Sequence, residues 1–166
     1  MSPADRVIAW YKERFCRQDP AEIPGLEQFV GGIARPFVMT AETGATLGWL
    51  VLVRESDTVI DLAYILAKRR TASRLLWQRQ KAHKPRGSGA GTRVLTQLCA
   101  QADVAEAVVS LSVQGYGSAR NADVVRVARL AKWYRSFGFV STDPNAPGSK
   151  MIRKPRMPPP EAACFS

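Results

Sequence analysis

The residues with the clearest chemical meaning are Arg86-Gly87-Ser88-Gly89-Ala90-Gly91-Thr92, which run directly into Arg93-Val94-Leu95-Thr96-Gln97-Leu98. Glycine at 87, 89 and 91 lets the backbone turn tightly and leaves its N–H groups uncovered by side chains. Val94, Leu95 and Leu98 then fall on one face at helical spacing, so the turn feeds a helix N-terminus. Bare amides and the positive end of a helix dipole together attract phosphate. Arg86 and the Thr92 hydroxyl add a charge-assisted and a neutral hydrogen bond to the same anion. The expectation is a loop that holds a phosphorylated cofactor.

Spacing separates the candidate loops. A nucleotide-hydrolase P-loop requires Lys before its Ser or Thr, and here Gly91 precedes Thr92. A dinucleotide fingerprint requires glycine at its sixth position, which, counted from Gly87, is Thr92. Arg-x-x-Gly-x-Gly is met, by Arg86, Gly89 and Gly91.

A second pattern lies downstream, Leu130-Ala131-Lys132-Trp133-Tyr134-Arg135-Ser136-Phe137-Gly138-Phe139. Val127, Leu130, Ala131 and Tyr134 share a helical face. Gly138 suits a helix C-cap, and Phe139-Val140 begins a strand. With the strand-like run Ala107–Val113 between them, the two patterns resemble the pyrophosphate loop and the late helix of the GCN5-related N-acetyltransferases, the GNAT superfamily. The resemblance covers residues 36 to 154, in two strong patches joined by weaker ones.

That resemblance implies an α/β fold: a mixed central sheet with helices on both faces, antiparallel in its first half and parallel across the phosphate-loop helix. It implies an N-acetyltransferase that moves the acetyl group of acetyl-CoA directly to a primary amine of an unidentified acceptor. Strand Thr58–Leu66 would lie against the pantetheine arm, parted from Ala107–Val113, with backbone groups of Ile65, Leu66 and Ala67 bonding it. The pyrophosphate would sit on Arg86, Gly87, Ser88, Gly89, Ala90, Gly91 and Thr92, and the amine would enter from the opposite side of the sheet. Tyr134 matches the family's general acid, a phenol able to protonate the departing thiolate. The same tyrosine also reads as a core aromatic on an amphipathic helix.

A base is less defined. Asp61 lies on the candidate strand, Glu55 and Asp57 could act through water, and water alone suffices in some such enzymes. Each carboxylate also reads as an ordinary surface or turn residue. Tyr64 faces either core or substrate, and His83 lies inside a basic stretch that should lower its pKa. The chain departs from the family in two places: an insert at Lys68–Pro85 separates the cofactor strand from the loop, and Val127 replaces a frequent asparagine. Placing the cofactor strand at Arg74–Gln80 instead gives poor alternation.

Composition bounds the rest. A 166-residue chain is one domain with room for a core, expected over residues 1–154, with a flexible Pro-rich tail at 155–166. No apolar run is long enough for a membrane span, and no signal peptide opens the chain. Cys16, Cys99 and Cys164 make neither a disulfide framework nor a zinc site with a single histidine, so a cytoplasmic setting is expected. A homodimer is compatible with all of this. The net charge of +10 is concentrated: Lys68–Arg86 holds eight Lys/Arg and no acid, leaving the body near neutral. With Trp77, that segment could neutralise nucleic-acid phosphates and stack on a base, clamp the coenzyme A 3′-phosphate, or be a solvated face. The alternatives are thus a nucleic-acid-binding acetyltransferase with a tRNA or aminoacyl-tRNA acceptor, or a catalytically lapsed binding module.

The elements that must position these residues read as follows. Ser2-Pro3 opens a helix to about Gln18, with Val7, Ile8, Tyr11 and Phe15 inward. A short helix or loop follows at Ala21–Gly32. Strands are expected at Pro36–Glu42, Thr46–Arg54 and Thr58–Leu66, a helix at Thr92–Ala102, and a strand at Ala107–Val113. A helix at Val124–Ser136 and a hairpin of Phe139–Thr142 with Ser149–Arg153 complete the order.

Overall fold

The computed structural model describes residues 1–17, 37–40, 46–67, 89–113, 120–143 and 150–156. Three helices and six strands alternate along it as the residue patterns predict, with ends shifted by a few positions. Helix α1 spans Pro3–Arg14; the Ser2 hydroxyl accepts the Asp5 N–H at 3.2 Å, and Pro3 needs no amide partner at the first helical position. It stops short of Gln18 because Phe15 turns extended, its N–H closing on the Tyr11 carbonyl. Ala4, Val7 and Tyr11 form the buried stripe, while Ile8 and Phe15 are only half-buried.

Strands β1 (Phe37–Thr40), β2 (Thr46–Arg54), β3 (Val59–Ala67), β4 (Val108–Ser112), β5 (Val140–Ser141) and β6 (Lys150–Arg153) make one sheet in the order β1-β2-β3-β4-β6-β5. The first three pair antiparallel, β3 and β4 pair parallel, and the far edge returns to antiparallel pairing. The parallel step needs a crossover, and helix α2 (Ala90–Ala105) supplies it. The mixed sheet is the one expected.

Alternation decides the faces. Leu50, Leu52, Ile60, Leu62, Val109, Leu111 and Met151 point to one side, where α1 and the Val94, Leu95, Leu98, Cys99 and Ala102 stripe of α2 cover them. Helix α3 (Arg120–Arg135) adds Tyr134 to the same core, with Val127, Leu130 and Ala131 packed against it. On the other face Val51 is fully buried among Trp49, Ala63, Tyr64 and Leu66.

Two devices lock the ends. Gly138 adopts φ +91° after α3, a left-handed step that lets its N–H reach the Arg135 carbonyl and the Phe139 N–H reach Tyr134. Arg153, buried on β6, sets both terminal nitrogens on the Asp103 carboxylate of α2, at 2.8 and 2.7 Å. Its Nε donates to the Phe137 carbonyl at 2.9 Å, so one side chain ties strand, helix and turn together.

Candidate active site

Strand β3 is paired on its β4 side for only part of its length. Val59, Ile60 and Asp61 stand opposite Val108, Val109 and Ser110, and there the parallel ladder ends. Beyond that rung β3 continues to Ala67 along β2, while β4 follows β6 through Leu111↔Met151 and Ser112↔Lys150. The two strands part. A local cause sits beside the split: Val51 of β2 opposes Tyr64 while Leu52 opposes Leu62, which makes Ala63 an extra residue. Such a bulge bends its strand and increases its twist. Ile65, half-buried toward the core, Leu66, half-buried on the other face, and Ala67 lie along the parted stretch.

The crossover brings the glycine turn into the same half of the sheet. Gly89 stands at the N-cap of α2 with φ +68°, a conformation glycine tolerates best, and no side chain among the described residues caps the helix. The amides of Ala90, Gly91 and Thr92 precede the first intrahelical bond, from the Arg93 N–H to the Gly89 carbonyl. No acid occupies that first turn, and a Cβ built on Gly89 meets nothing within 4 Å among the described residues. Gly89 and Thr92 are exposed, Gly91 half-buried and Ala90 buried. Arg86, Gly87 and Ser88 lie outside the described residues, as do the basic insert with Trp77 and His83, the stretch Arg74–Gln80, the expected helix or loop at Ala21–Gly32, and the Pro-rich tail from residue 157 on.

Helix α3 approaches that turn through Trp133, whose Cη2 lies 3.7 Å from a Cβ built on Gly91. The next residue, Tyr134, is 8% exposed, its ring against Trp133 and Phe139. Burial pushes its phenol up to about 12, so it holds its proton at any working pH. Tyr134 is therefore a core aromatic in its packing, with a phenol that stays protonated.

The base candidates separate cleanly. Asp57 is ion-paired with Arg54 and its carbonyl accepts the Ala4 N–H, which keeps it by α1. Asp61 and Glu55 are brought together by Ser110, whose Oγ lies 3.0 Å from Asp61 Oδ1 and 2.7 Å from Glu55 Oε2. Lys150 of β6 pairs with the other Glu55 oxygen. Asp61 alternates with the core residues Ile60 and Leu62, so the group lies on the face away from α2. Burial raises Asp61 above the ordinary carboxylate range, and the Glu55 charge adds to this. Hydrogen bonds from Lys150 and Ser110 hold Glu55 below its ordinary value. Tyr64 lies on the same side of the sheet as this group, against Val51.

The parallel-after-antiparallel sheet, the parted β3 and β4, and a helix entered from a glycine turn are the arrangement that the two motifs implied. The fold is GNAT-like. No protein-family model and no curated protein matches the chain. Among solved structures, an aminoglycoside 6'-N-acetyltransferase complexed with coenzyme A is similar at TM-score 0.48 and 14% identity, over 95% of this chain and 91% of that one. An aminoglycoside 6'-acetyltransferase type Ii aligns at 0.48 and 12%, covering 94% and 89%. A GNAT family acetyltransferase from Elizabethkingia anophelis with acetyl-CoA bound aligns at 0.45 and 13%, covering 78% and 80%. Likeness at these scores is one of general arrangement; it assigns no residue and no substrate.

Within the GNAT-like frame, sequence reasoning missed Ser110 and Lys150. A hydroxyl inside the apolar run Val108–Ser112 was a visible signal, but its partners depend on register.

Proposed function

We propose that the protein is an acetyl-CoA-dependent N-acetyltransferase acting on a primary amine. The observation that carries this reading is the parting of β3 from β4 beside an uncapped α2 N-terminus. A gap between parallel strands offers an extended acyl carrier the β4-facing edge of β3 beyond Asp61, as an added strand would use it. The amides of Ala90, Gly91 and Thr92, with Arg86, Gly87 and Ser88 before them, suit a diphosphate at the end of that arm. Acetyl-CoA enters this reading as the acyl donor, a substrate consumed in each turnover. In this reading Tyr134, protonated at rest, is the group that supplies the proton for its thiolate.

Calorimetric titration with acetyl-CoA tests the reading. Wild type should bind, and Gly91→Glu, which puts a carboxylate in the cradle, should not. A wild type that ignores acetyl-CoA overturns it.

A second reading, a nucleic-acid-linked acceptor, is favoured by α3, which exposes Arg129, Lys132 and Arg135. Binding of a transfer RNA should then weaken steeply with salt, and the slope should shrink when the three are replaced by Gln.

A further inference from the structure

Ser110 is completely buried and has one hydroxyl hydrogen, yet carboxyl oxygens of Glu55 and Asp61 stand 2.7 and 3.0 Å from its Oγ. One hydrogen serves one acceptor. Lys150 pairs with the other Glu55 oxygen, so Glu55 is the ionised partner and takes the Ser110 hydrogen over the shorter contact. The Asp61 contact then needs a hydrogen of its own. Only a protonated Asp61 carboxyl supplies one, donating to Ser110 Oγ. Facing Asp61 are the uncharged Val53 opposite it on β2, Ser110 on β4, Glu55 in the turn between β2 and β3, and Lys150 on β6. Tyr64 shares that face farther along β3. Among the described residues Lys150 is the cation acting on Asp61, and Glu55 already engages it.

We propose that Asp61 is a proton-operated latch on the seam between β3 and β4. Protonated, it bonds Ser110 across the last shared rung and fixes the point at which the strands part. Ionised, it faces a Ser110 lone pair and the Glu55 charge with no cation of its own, and both repel it. Asp61 is half-buried, so its side chain has a way out to water, whereas Ser110 has none. The contact is lost and the rung opens. The opening stops one rung on, because Ile60 and Val109 are fully buried and carry no titrating group. Both strands stay anchored meanwhile, β3 through Val53↔Asp61 and β4 through Ser110↔Ile152. The switch therefore moves the vertex of the gap from Asp61 and Ser110 to Ile60 and Val109. Burial, which disfavours the Asp61 charge, places the change above the ordinary aspartate range. On the transferase reading above, the ionised state offers an acyl carrier one more residue of the β3 edge. Binding of acetyl-CoA then releases the Asp61 proton and strengthens as pH rises through the change.

Two measurements on the full chain test this. Amide hydrogen exchange without ligand, corrected for the intrinsic pH dependence of exchange, reads the rung directly. Carboxyl carbon NMR follows Asp61 in parallel. The Ser110 amide should lose about tenfold in protection as Asp61 titrates. The Val108 amide, two positions earlier on the same edge of β4 and bonded to the Thr58 carbonyl at 2.8 Å, should keep its own. Asp61→Asn, whose side-chain amide donates to Ser110 Oγ at every pH, should hold the Ser110 protection throughout. Glu55→Gln, which removes the repelling charge, should move the change to lower pH. Calorimetry then compares acetyl-CoA affinity on the two sides of the change. Wild type should gain about tenfold on the alkaline side over what the same pH step produces in Asp61→Asn. Ser110 protection indifferent to the Asp61 titration, the same loss in Asp61→Asn, or an equal affinity step in both proteins overturns the proposal. Absence of acetyl-CoA binding at either pH counts instead against the transferase reading, and the ligand-free exchange still decides the latch.

Discussion

Ser110 and Asp61 stand opposite one another on the last rung shared by β4 and β3, and their side chains meet there at 3.0 Å. One strand position later the backbones diverge. The polar contact therefore closes the sheet at the point from which the gap opens, and both surroundings and consequences can be tested.

Asp61 and Asp103 should give opposite pH dependences of stability. Burial opposes the charge on Asp103, but hydrogen bonds from Arg153 and the Arg156 N–H, with both positive charges, outweigh it and hold the group low. Its stabilisation is present above the unfolded value of about 3.9 and is lost as pH falls through the lower folded value. Asp61 is raised in the folded state, so stability declines as pH rises from about 3.9 through its folded value, then levels. Urea unfolding across that range should show the decline in wild type and its absence in Asp61→Asn.

Asp103→Asn should destabilise the fold by about 3 kcal/mol, because it leaves the Arg153 guanidinium buried without its counter-charge. Chemical denaturation at neutral pH measures this, and a loss below about 1 kcal/mol would mean that the pair is solvated in solution.

Tyr11→Phe should be neutral or stabilising by up to about 1 kcal/mol. The Tyr11 hydroxyl is buried with no hydrogen-bond partner among the described residues, and its ring already packs on Phe15 and Phe37. A rise in Tm is expected; a marked fall would reveal a partner for the oxygen.

Tyr134→Phe should leave folding and acetyl-CoA affinity within about twofold while lowering turnover about 100-fold. Its ring contacts with Trp133 and Phe139 survive the change. Unchanged turnover would reduce Tyr134 to a packing residue.

Gly89→Ala should cost about 1 kcal/mol of stability, since a Cβ disfavours the left-handed N-cap even with open space beside it. Gly91→Ala should instead stabilise α2 by up to about 1 kcal/mol, because its Cβ meets Trp133 at 3.7 Å, an ordinary contact. Thermal unfolding of the two variants should move in opposite directions.

Much of this was legible in the residues. The α2 stripe and the Tyr134–Gly138 pattern were read at 3.6-residue and capping spacing, and the packing follows them. Parallel pairing across α2 came from the resemblance rather than from the residues, since parallel strands need a crossover but a helix between two strands does not make them parallel. Register came from neither, because spacing along one strand says nothing about what stands across from it. Ser110 thus gave no hint of Asp61 and Glu55, and Lys150 and Arg153, alike in the sequence as cations of one short strand, turn to opposite faces. Asp57 and Glu55 lie two positions apart, yet only Glu55 reaches the polar group. The loop residues Arg86 to Ser88 fall outside the described residues, so three of the seven cradle residues rest on spacing alone.

Ala63 gives β3 one residue more than β2 spends on the same span. Shortening the chain by that residue would restore strict two-by-two counting from Val59 onward. Tyr64 and Leu66 would keep their outer face and Ile65 its inner one, but the widened seam would lose the bend that holds it open. Whatever occupies that seam owes its berth to an arithmetic mismatch of one.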